Sequence, residues 1–441
     1  MNITAFWFRR DLRLSDNAGL MHALKSGNPV QCFFIYDKNI LDLLSSKSDA
    51  RVQFIQHRIS LLKEELQVYG SDLICTIDTP DQAWNTWIQK YSIKRIFCNK
   101  DYEPYAKERD QRIHHLAIKN NIIFSQFKDH LIFESEEIRK SDSLPYTVFT
   151  AYKKACFKKL ISNNSEIQNS YFLKSYPTEK YFNNFNKLIY TKEITLEEIG
   201  FCQTEIIIPA IQLSEFSINN YHLTRDYPNK SGTSRLGIHF RFGTISIREY
   251  FVMAAKFNEM FLIELLWREF YSSILQAFPN VVVDCFKNKY NKIEWRNNEK
   301  EFQLWCNGKT GIPLVDAGIR ELNTTGFMHN RVRMITASFL VKNLLIDWRW
   351  GEAYFAEKLL DYDLASNNGG WQWVAGCGTD AAPYFRIFNP YIQQKKFDPE
   401  FEYIKSWIPE FGSSNYPEPI VELSSSAKRC IQAYKKALYD E

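Results

Sequence analysis

Short apolar runs alternate with longer amphipathic stretches along the N-terminal third of the chain. The apolar runs predict strands at 3–8, 30–36, 72–77, 95–99 and 122–127. Stretches between them, such as 52–69, place apolar residues at helical spacing. Nearly all-apolar strands separated by helix-length segments are typical of a parallel sheet covered by helices on both faces. The pattern therefore predicts a doubly wound, Rossmann-like α/β domain over residues 1–133.

The periodicity changes twice beyond that domain. Residues 134–220 are dominated by Asn, Lys, Ser and Glu, apart from a helical pattern at 148–161, which predicts an interdomain connector. From 221 to 441 the pattern is helical almost throughout, which predicts an all-α domain. Its clearer predicted helices are 251–278, 315–322, 331–345 and 353–359.

Composition excludes several classes of protein. The 441 residues are 45% hydrophobic, enough for a large core, yet no run is long and apolar enough to predict a membrane span. Arg9, Arg10 and Arg13 stand where a signal peptide needs apolar residues, so we expect a cytoplasmic protein. The nine cysteines are scattered without zinc-ligand spacing, which predicts reduced core residues and no metal site. A net charge of +4 permits a nucleic-acid partner without indicating one.

One predicted helix carries a face with candidate chemistry. Glu264, Trp267, Arg268 and Tyr271 fall at i, i+3, i+4 and i+7 and so share that face. A carboxylate beside a large aromatic ring and a guanidinium suits a cavity that stacks and hydrogen-bonds a base. The alternative is a Glu264–Arg268 ion pair on a solvated helix, which is worth only about 0.2 to 0.5 kcal/mol.

Three further segments stand out. Residues 232–237 combine hydroxyls, an arginine and glycines, which could bind a diphosphate or simply cap a helix. Residues 361–373 group two acids, two asparagines, two glycines and two tryptophans, which favours a functional site over packing. Residues 376–381 match a dinucleotide fingerprint by letter, but no strand precedes them, so we interpret that match as accidental.

Taken together, four long motifs resemble the photolyase/cryptochrome family, and within it the class I cyclobutane pyrimidine dimer photolyases. They are FWFRRDLRLSDN (6–17), ELLWREFY (264–271), MHNRVRM (328–334) and GTDAAPYFRIFNP (378–390). The resemblance implies an N-terminal α/β domain and a helical domain that holds FAD. It also implies light-driven DNA repair, in which excited FADH⁻ gives an electron to a flipped-out dimer, the dimer splits, and the electron returns.

The resemblance implies a set of flavin-binding residues. Asn367 would face the flavin N5, where plant cryptochromes carry Asp, and Arg333 would pair with Asp361. The implied FAD ligands are Tyr221, Thr233, Ser234, Arg235, Leu236, Gly237, Phe261, Arg333, Asp361, Tyr362, Asp363 and Asn367. An implied electron relay consists of Trp295, Trp348 and Trp371.

The same resemblance implies a lesion pocket. Its catalytic residues would be Glu264, Asn330, Met334 and Asn367. Its DNA contacts would be Arg225, Glu264, Trp267, Arg268, Tyr271, Asn330, Arg331, Trp373, Arg386 and Lys395. Since the dimer lies inside a duplex, it must be extruded before it can be repaired.

Members of the family carry a second, light-harvesting chromophore in the N-terminal domain. Folate-type members have Asn-Glu where this chain has Tyr105-Ala106. An 8-hydroxy-5-deazaflavin or a flavin is therefore favoured over a folate, with Arg51, Asp101, Glu103 and Tyr105 as its implied ligands.

The main expectation is thus a monomeric FAD enzyme that acts on UV-damaged DNA without a membrane or an obligatory protein partner. The alternative is a cryptochrome-type blue-light sensor without repair activity. Asn367 and the complete lesion-pocket motifs favour repair.

Overall fold

The computed structural model describes residues 2–161, 166–188, 190–212 and 215–439. These residues form two compact units, each assembled from three segments of the chain. The first unit takes the described residues of Met1–Glu137, Phe157–Ile211 and Leu236–Lys256. The second takes those of Ile138–Cys156, Gln212–Arg235 and Phe257–Glu441. The division into domains at 133/134 and 220/221 stays a prediction.

A parallel sheet organises the first unit. Its strands are β1 (Ile3–Phe8), β2 (Val30–Asp37), β3 (Leu73–Asp78), β4 (Ile93–Asn99) and β5 (Ile123–Phe127). They run in the order β3-β2-β1-β4-β5, and Phe6 of β1 lies opposite Cys32 of β2 and Phe97 of β4. All the predicted strands are confirmed to within two residues.

Helices account for most of the remaining described structure. Up to Phe257 the α-helices are α1 (Ala18–Leu24), α2 (Lys38–Leu41), α3 (Ala50–Gln67), α4 (Pro80–Lys90), α5 (Pro104–Lys119), α6 (Phe149–Ile161), α7 (Leu196–Ile199), α8 (Glu215–Asn219), α9 (Tyr221–Thr224), α10 (Gly237–Arg241) and α11 (Ile247–Phe257). Beyond it they are α12 (Glu259–Ala277), α13 (Glu299–Cys306), α14 (Pro313–Thr325), α15 (Asn330–Ser338), α16 (Trp348–Lys358), α17 (Leu364–Ala375), α18 (Pro390–Phe397), α19 (Glu402–Trp407) and α20 (Leu423–Tyr439). Short 3₁₀ segments are Ile167–Asn169, Tyr171–Leu173, Thr178–Asn184, Pro279–Val282 and Asn288–Lys292.

The strands are buried on both sides, as their composition predicts. Phe6 and Phe8 pack with α1 and α3 on one face of the sheet, while Trp7 and Phe33 pack with α4 and α5 on the other. Alternate residues of one strand point to opposite faces, so a strand covered by helices on both sides needs apolar residues at nearly every position. The predicted doubly wound α/β class is confirmed for this part of the chain.

Two of the predicted helices end earlier than expected. The single helix predicted over 251–278 is divided at Asn258, which is extended (φ −160°, ψ 109°) and accepts a hydrogen bond from the Phe261 N–H. Asn is a preferred N-cap because its side chain satisfies a backbone N–H that has no partner within the helix. The helix predicted over 331–345 ends at Ser338 and continues as a π-helical turn, Phe339–Asn343.

The second unit is helical around its own hydrophobic core, and two of its helices, α12 and α17, meet closely at Gly369. A Cβ at Gly369 of α17 would lie 2.1 Å from Cδ1 of Tyr271 on α12. Glycine therefore lets these two helices approach each other, which places the face of Glu264 and Trp267 beside the helix that carries Asn367.

Other sequence expectations can be checked here. No helix of the described residues is long and apolar enough to cross a membrane. All nine cysteines are free thiols, but Cys202 is exposed and Cys75 is only partly buried. The expectation that every cysteine is a core residue is therefore wrong for Cys202, whereas Cys75 packs against the core of the first unit.

The Gly369 contact predicts a stability difference between two adjacent glycines. Gly369→Ala should lower the free energy of unfolding by about 1 to 3 kcal/mol, because its methyl group overlaps the Tyr271 ring. Gly370→Ala meets no atom within 4 Å and should leave stability unchanged or raise it by up to about 1 kcal/mol. Denaturant unfolding of both variants tests this, and equal stabilities would contradict it.

Candidate active site

Glu264 on α12 lies in a charged and aromatic cluster. Arg225 Nη1 donates to Glu264 Oε1 over 2.7 Å, and the Arg225 guanidinium lies 5.3 Å from the centre of the Tyr221 ring. Tyr221 packs edge-on against Phe261 with ring centres 5.2 Å apart. Glu264 is thus paired with a residue outside its own helix. Its side chain remains 31% exposed, so it can still reach a ligand.

Trp267, one turn along α12, lies in an aromatic group. Its ring stacks on Phe149 with centres 3.6 Å apart and an interplanar angle of 9°. Tyr271 lies beside it, tilted by 32° at 5.5 Å, and Phe270 meets it edge-on at 5.7 Å. The indole is half-buried, so part of its surface can receive a base.

The MHNR segment forms the start of α15. The His329 Nδ1 accepts the Arg331 N–H over 3.2 Å and so caps the helix. Asn330 is exposed, whereas Arg331 pairs with Asp226 and lies 4.5 Å from the centre of the Phe397 ring. Arg331 Nη1 also lies 3.9 Å from the Met334 sulfur. The cap therefore fixes where α15 begins, and so the directions of the side chains of Asn330, Arg331 and Met334.

The predicted Arg333–Asp361 pair is present. Arg333 Nη2 donates to Asp361 Oδ2 over 2.9 Å, and its Nε donates to the Met328 carbonyl over 2.7 Å. The other carboxylate oxygen, Asp361 Oδ1, is buried and accepts no hydrogen bond. A buried acceptor without a donor costs free energy, so this atom is suited to a donor that belongs to a ligand.

Asn367 is held by a carboxylate that the sequence did not suggest. Its Nδ2 donates to Glu352 Oε1 over 2.8 Å and to the Glu352 carbonyl over 3.1 Å. Burial raises the pKa of Glu352, and the hydrogen bond from Asn367 opposes that rise. The amide orientation of Asn367 is thus set from α16. Nothing in the sequence distinguishes Glu352 from a solvated helix residue.

The run 233–237 contains a backbone feature suited to anions. Arg235 has φ +50°, in the left-handed region, and its guanidinium lies 4.5 Å from the centre of the Phe327 ring. A residue in that conformation turns successive N–H groups toward one side, which favours an anion. Thr233, Ser234 and Arg235 belong to the second unit, whereas Leu236 and Gly237 belong to the first.

Comparison with known proteins agrees with these features. A family model described as DNA photolyase matches residues 4–169, and one described as the FAD binding domain of DNA photolyase matches residues 261–414. A curated relative from Alkalihalophilus pseudofirmus, named deoxyribodipyrimidine photo-lyase, is 35% identical over 98% of both chains. The chain belongs to the DNA photolyase family.

Solved structures of the photolyase/cryptochrome group match the whole chain. A class III photolyase from Agrobacterium tumefaciens has a TM-score of 0.85 at 28% identity and covers 99% of this chain and 98% of its own. An archaeal photolyase from Sulfolobus tokodaii with two FAD molecules has a TM-score of 0.81 at 32% identity, over 99% and 100% of the two chains. A Synechocystis cryptochrome has a TM-score of 0.83 at 27% identity, over 98% and 99%.

In this photolyase-family chain, the predicted relay tryptophans differ in burial. Trp371 is 2% exposed and packs edge-on against Phe355, and Trp348 is 1% exposed. Trp295 is half-buried and meets the Tyr434 ring edge-on at 6.0 Å. Of the three, only Trp295 is partly exposed, and their role as an electron relay stays a prediction.

The other predicted flavin ligands and DNA contacts of the second unit differ in their burial and in their partners. Asp363 caps α17 by accepting the Ser366 N–H over 3.1 Å, and Tyr362 packs against the core. Trp373 is half-buried, and Arg268 lies 3.4 Å from Glu269. Arg386 and Lys395, which the sequence predicts to contact DNA, are exposed.

Sequence reasoning missed Phe385. Its side chain is 62% exposed and immediately precedes the exposed Arg386. Single exposed apolar side chains are common on protein surfaces, so it is the position beside a cation, and not the exposure alone, that makes Phe385 a candidate. The signal available in the sequence was the pairing itself, Phe-Arg between two prolines.

The predicted antenna ligands of the photolyase-like first unit fall into two groups. Arg10 Nη1 donates to Asp101 over 3.2 Å and to Glu103 over 2.8 Å. Burial opposes ionisation of Asp101, but Arg10 and Arg109 outweigh it and lower its pKa to about 2. Arg51 instead pairs with Asp49, the cap of α3, and the Tyr105 hydroxyl donates to Asp37.

His329 predicts how stability depends on pH. It is 3% exposed, and burial lowers its pKa to about 4 from an ordinary value of 6.5. Between these two pKa values, the unfolded chain therefore binds a proton at His329 that the folded chain does not bind. The stabilisation is complete above pH 6.5, and roughly 3 kcal/mol is lost as the pH falls from 6.5 to 4.

His329→Asn keeps a capping side chain without the titration, so its stability should fall less over that range. Urea unfolding between pH 7 and 4 measures the difference. His57→Asn, at an exposed position of α3, is the control and should follow the wild-type profile. A His329→Asn profile identical to wild type would refute the assignment.

Proposed function

We propose that the second unit binds FAD and repairs cyclobutane pyrimidine dimers in DNA in a light-dependent reaction. The observation that carries this proposal is the α12 face, where a partly exposed carboxylate on Glu264 stands one helical turn from the half-buried indole of Trp267. A carboxylate and a stacking ring on one surface match the needs of an extruded pyrimidine pair. The curated relatives bear the name of this activity.

The residues around Asp361 fit the flavin. The unpartnered Oδ1 of Asp361 supplies an acceptor, and Arg333 holds that carboxylate in place. Asn367 would lie at N5, with Glu352 fixing its amide. Arg235 and the hydroxyls of Thr233 and Ser234 would bind the diphosphate. When bound, reduced FAD supplies the photoexcited electron that opens the dimer and takes it back.

The lesion pocket works by exchange of partners. Glu264 would turn from Arg225 toward the N–H groups of the flipped bases and hold them by charge-assisted hydrogen bonds. Trp267 and Trp373 would offer stacking surface, worth about 1 to 3 kcal/mol per base. Asn330 and Met334, at the start of α15, would line the same pocket.

The surface beyond the pocket suits the DNA backbone. Arg386 and Lys395 are exposed cations that would contact phosphates and set the register of the duplex. Phe385, exposed beside Arg386, would enter the space left by the extruded bases, as apolar wedges do at unstacked steps.

A light-sensing role is the second candidate. The cryptochrome among the matched structures favours it, as does the buried pair of tryptophans Trp348 and Trp371. Asn367 favours repair instead, because an amide imposes no negative charge on the reduced ring. We further propose that the first unit holds a deazaflavin or flavin antenna and that the protein works as a cytoplasmic monomer.

Repair can be measured directly. The reduced holoprotein, mixed with UV-irradiated oligo(dT) and blue light, should restore thymine absorbance only in the light. Glu264→Ala should lower the yield roughly tenfold, the effect of one charge-assisted hydrogen bond worth about 1.5 kcal/mol. Glu259→Ala, an exposed carboxylate on the same helix, is the control and should repair normally. Photoreduction of the flavin without any dimer splitting would favour the sensor.

The Arg331–Asp226 pair predicts a variant that binds DNA more tightly. Asp226→Asn removes the carboxylate that pairs with Arg331 and so frees a cation for phosphate. The affinities for damaged and for undamaged DNA should both rise by about 3- to 10-fold at low salt, and both affinities should fall more steeply with added salt. Fluorescence anisotropy titrations over a KCl series measure this. Arg331→Gln should abolish the gain, and a gain that persists in that background would contradict the prediction.

A further inference from the structure

Phe149, the first residue of α6, lies flat on Trp267. The ring centres are 3.6 Å apart at an interplanar angle of 9°, a nearly parallel face-to-face contact. Phe149 is 6% exposed and also meets Phe270 edge-on at 5.7 Å. Parallel sandwiches are less favoured than offset or edge-to-face arrangements, so the surrounding structure must hold these two rings in place.

Asp380 supplies part of that hold. Its Oδ2 accepts the Phe149 N–H over 3.1 Å, and the first N–H groups of a helix have no partner within the helix. Asp380 itself has φ +47°, a conformation that side chains other than glycine seldom adopt. The segment 376–381, whose letters match a dinucleotide fingerprint by accident, thus anchors the start of α6.

The stack limits how Trp267 can meet a ligand. One face of the indole is covered by Phe149, while Phe270 and Tyr271 flank the ring. Only the surface left exposed can accept a base. With its plane fixed before binding, the indole loses little conformational freedom when a base stacks on it.

We propose that Phe149 is a positioning residue for damage recognition: it covers one face of Trp267 and fixes the ring plane, so that an extruded pyrimidine stacks on the remaining surface. This inference rests on the proposed repair function. It adds a residue of α6 to the lesion pocket and gives the segment 376–381 a role in recognition.

Affinity in the dark tests the proposal without any repair turnover. The holoprotein is titrated with an oligonucleotide that carries one thymine dimer and with its undamaged counterpart. Phe149→Leu should weaken binding to the dimer by about 3- to 10-fold and leave binding to undamaged DNA unchanged, since the energy involved is that of one stacked base. Phe149→Tyr keeps the ring and should restore wild-type affinity.

Tyr152→Leu is the matched control. It removes an equally buried aromatic ring from the same helix, but that ring contacts Phe270 and not, among the described ring pairs, Trp267. It should bind the dimer as wild type does. Should Phe149→Leu fail to fold, Asp380→Ala loosens the start of α6 without emptying the core and should lower dimer affinity in the same direction.

A double-mutant cycle separates positioning from general stability. In a Trp267→Ala background, Phe149→Leu should have no further effect on dimer affinity, because the ring it positions is gone. An undiminished loss in that background, or no loss in Phe149→Leu itself, overturns the inference. If the wild type does not prefer damaged DNA at all, the repair proposal fails and this inference fails with it. A preference that needs Trp267 but not Phe149 refutes this inference alone.

Discussion

The close approach of α12 to α17 at Gly369 is the contact on which the candidate site depends. The Tyr271 ring occupies the space that any side chain at position 369 would need. One helix carries Glu264 and Trp267, and the other carries Asn367 and begins directly after Asp361 and Asp363. Because a packed interior moves little, this close contact helps to fix the position of the predicted lesion-pocket residues relative to the predicted flavin ligands. A flexible linker between those faces could not keep an electron donor and its acceptor at a fixed separation.

Around that rigid frame, the charged side chains are arranged differently. Arg225 pairs with Glu264 and Arg331 with Asp226, and all four side chains are between 21% and 41% exposed. Ion pairs with that degree of exposure contribute little to stability, so exchanging the partner for a phosphate or a base costs little. The aromatic contacts, unlike these ion pairs, are closely packed: Phe149 is buried against Trp267, and Tyr271 lies against Gly369. Rings thus fix the geometry of the pocket, while charges are free to change partners.

The sequence predicts the parts of this structure that depend on local pattern. Strands buried on both faces and amphipathic helices leave periodic signals, and a long motif such as MHNRVRM carries its spacing with it. Asn258 divides a predicted helix because its side chain caps α12, although the apolar pattern continues through this position. Periodicity alone does not detect such a cap. The contacts Phe149–Trp267, Phe149–Asp380 and Asn367–Glu352 join separate elements, and neither partner is unusual where it stands in the sequence. Such positioning residues become visible only in three dimensions.

The two units also differ in how far their candidate ligands are already satisfied. In the first unit Asp101 and Glu103 share Arg10, Arg51 is engaged by Asp49, and Tyr105 donates to Asp37. An antenna chromophore bound through these side chains would have to replace existing ion pairs, and each exchange subtracts from its affinity. In the second unit Asp361 already has Arg333 on one oxygen and presents the other, buried and unpartnered, to a ligand. A ligand that donates to Asp361 Oδ1 would supply the hydrogen bond that this atom lacks in the free protein. On this argument we expect the flavin of the second unit to be bound more tightly than a chromophore held through these side chains of the first.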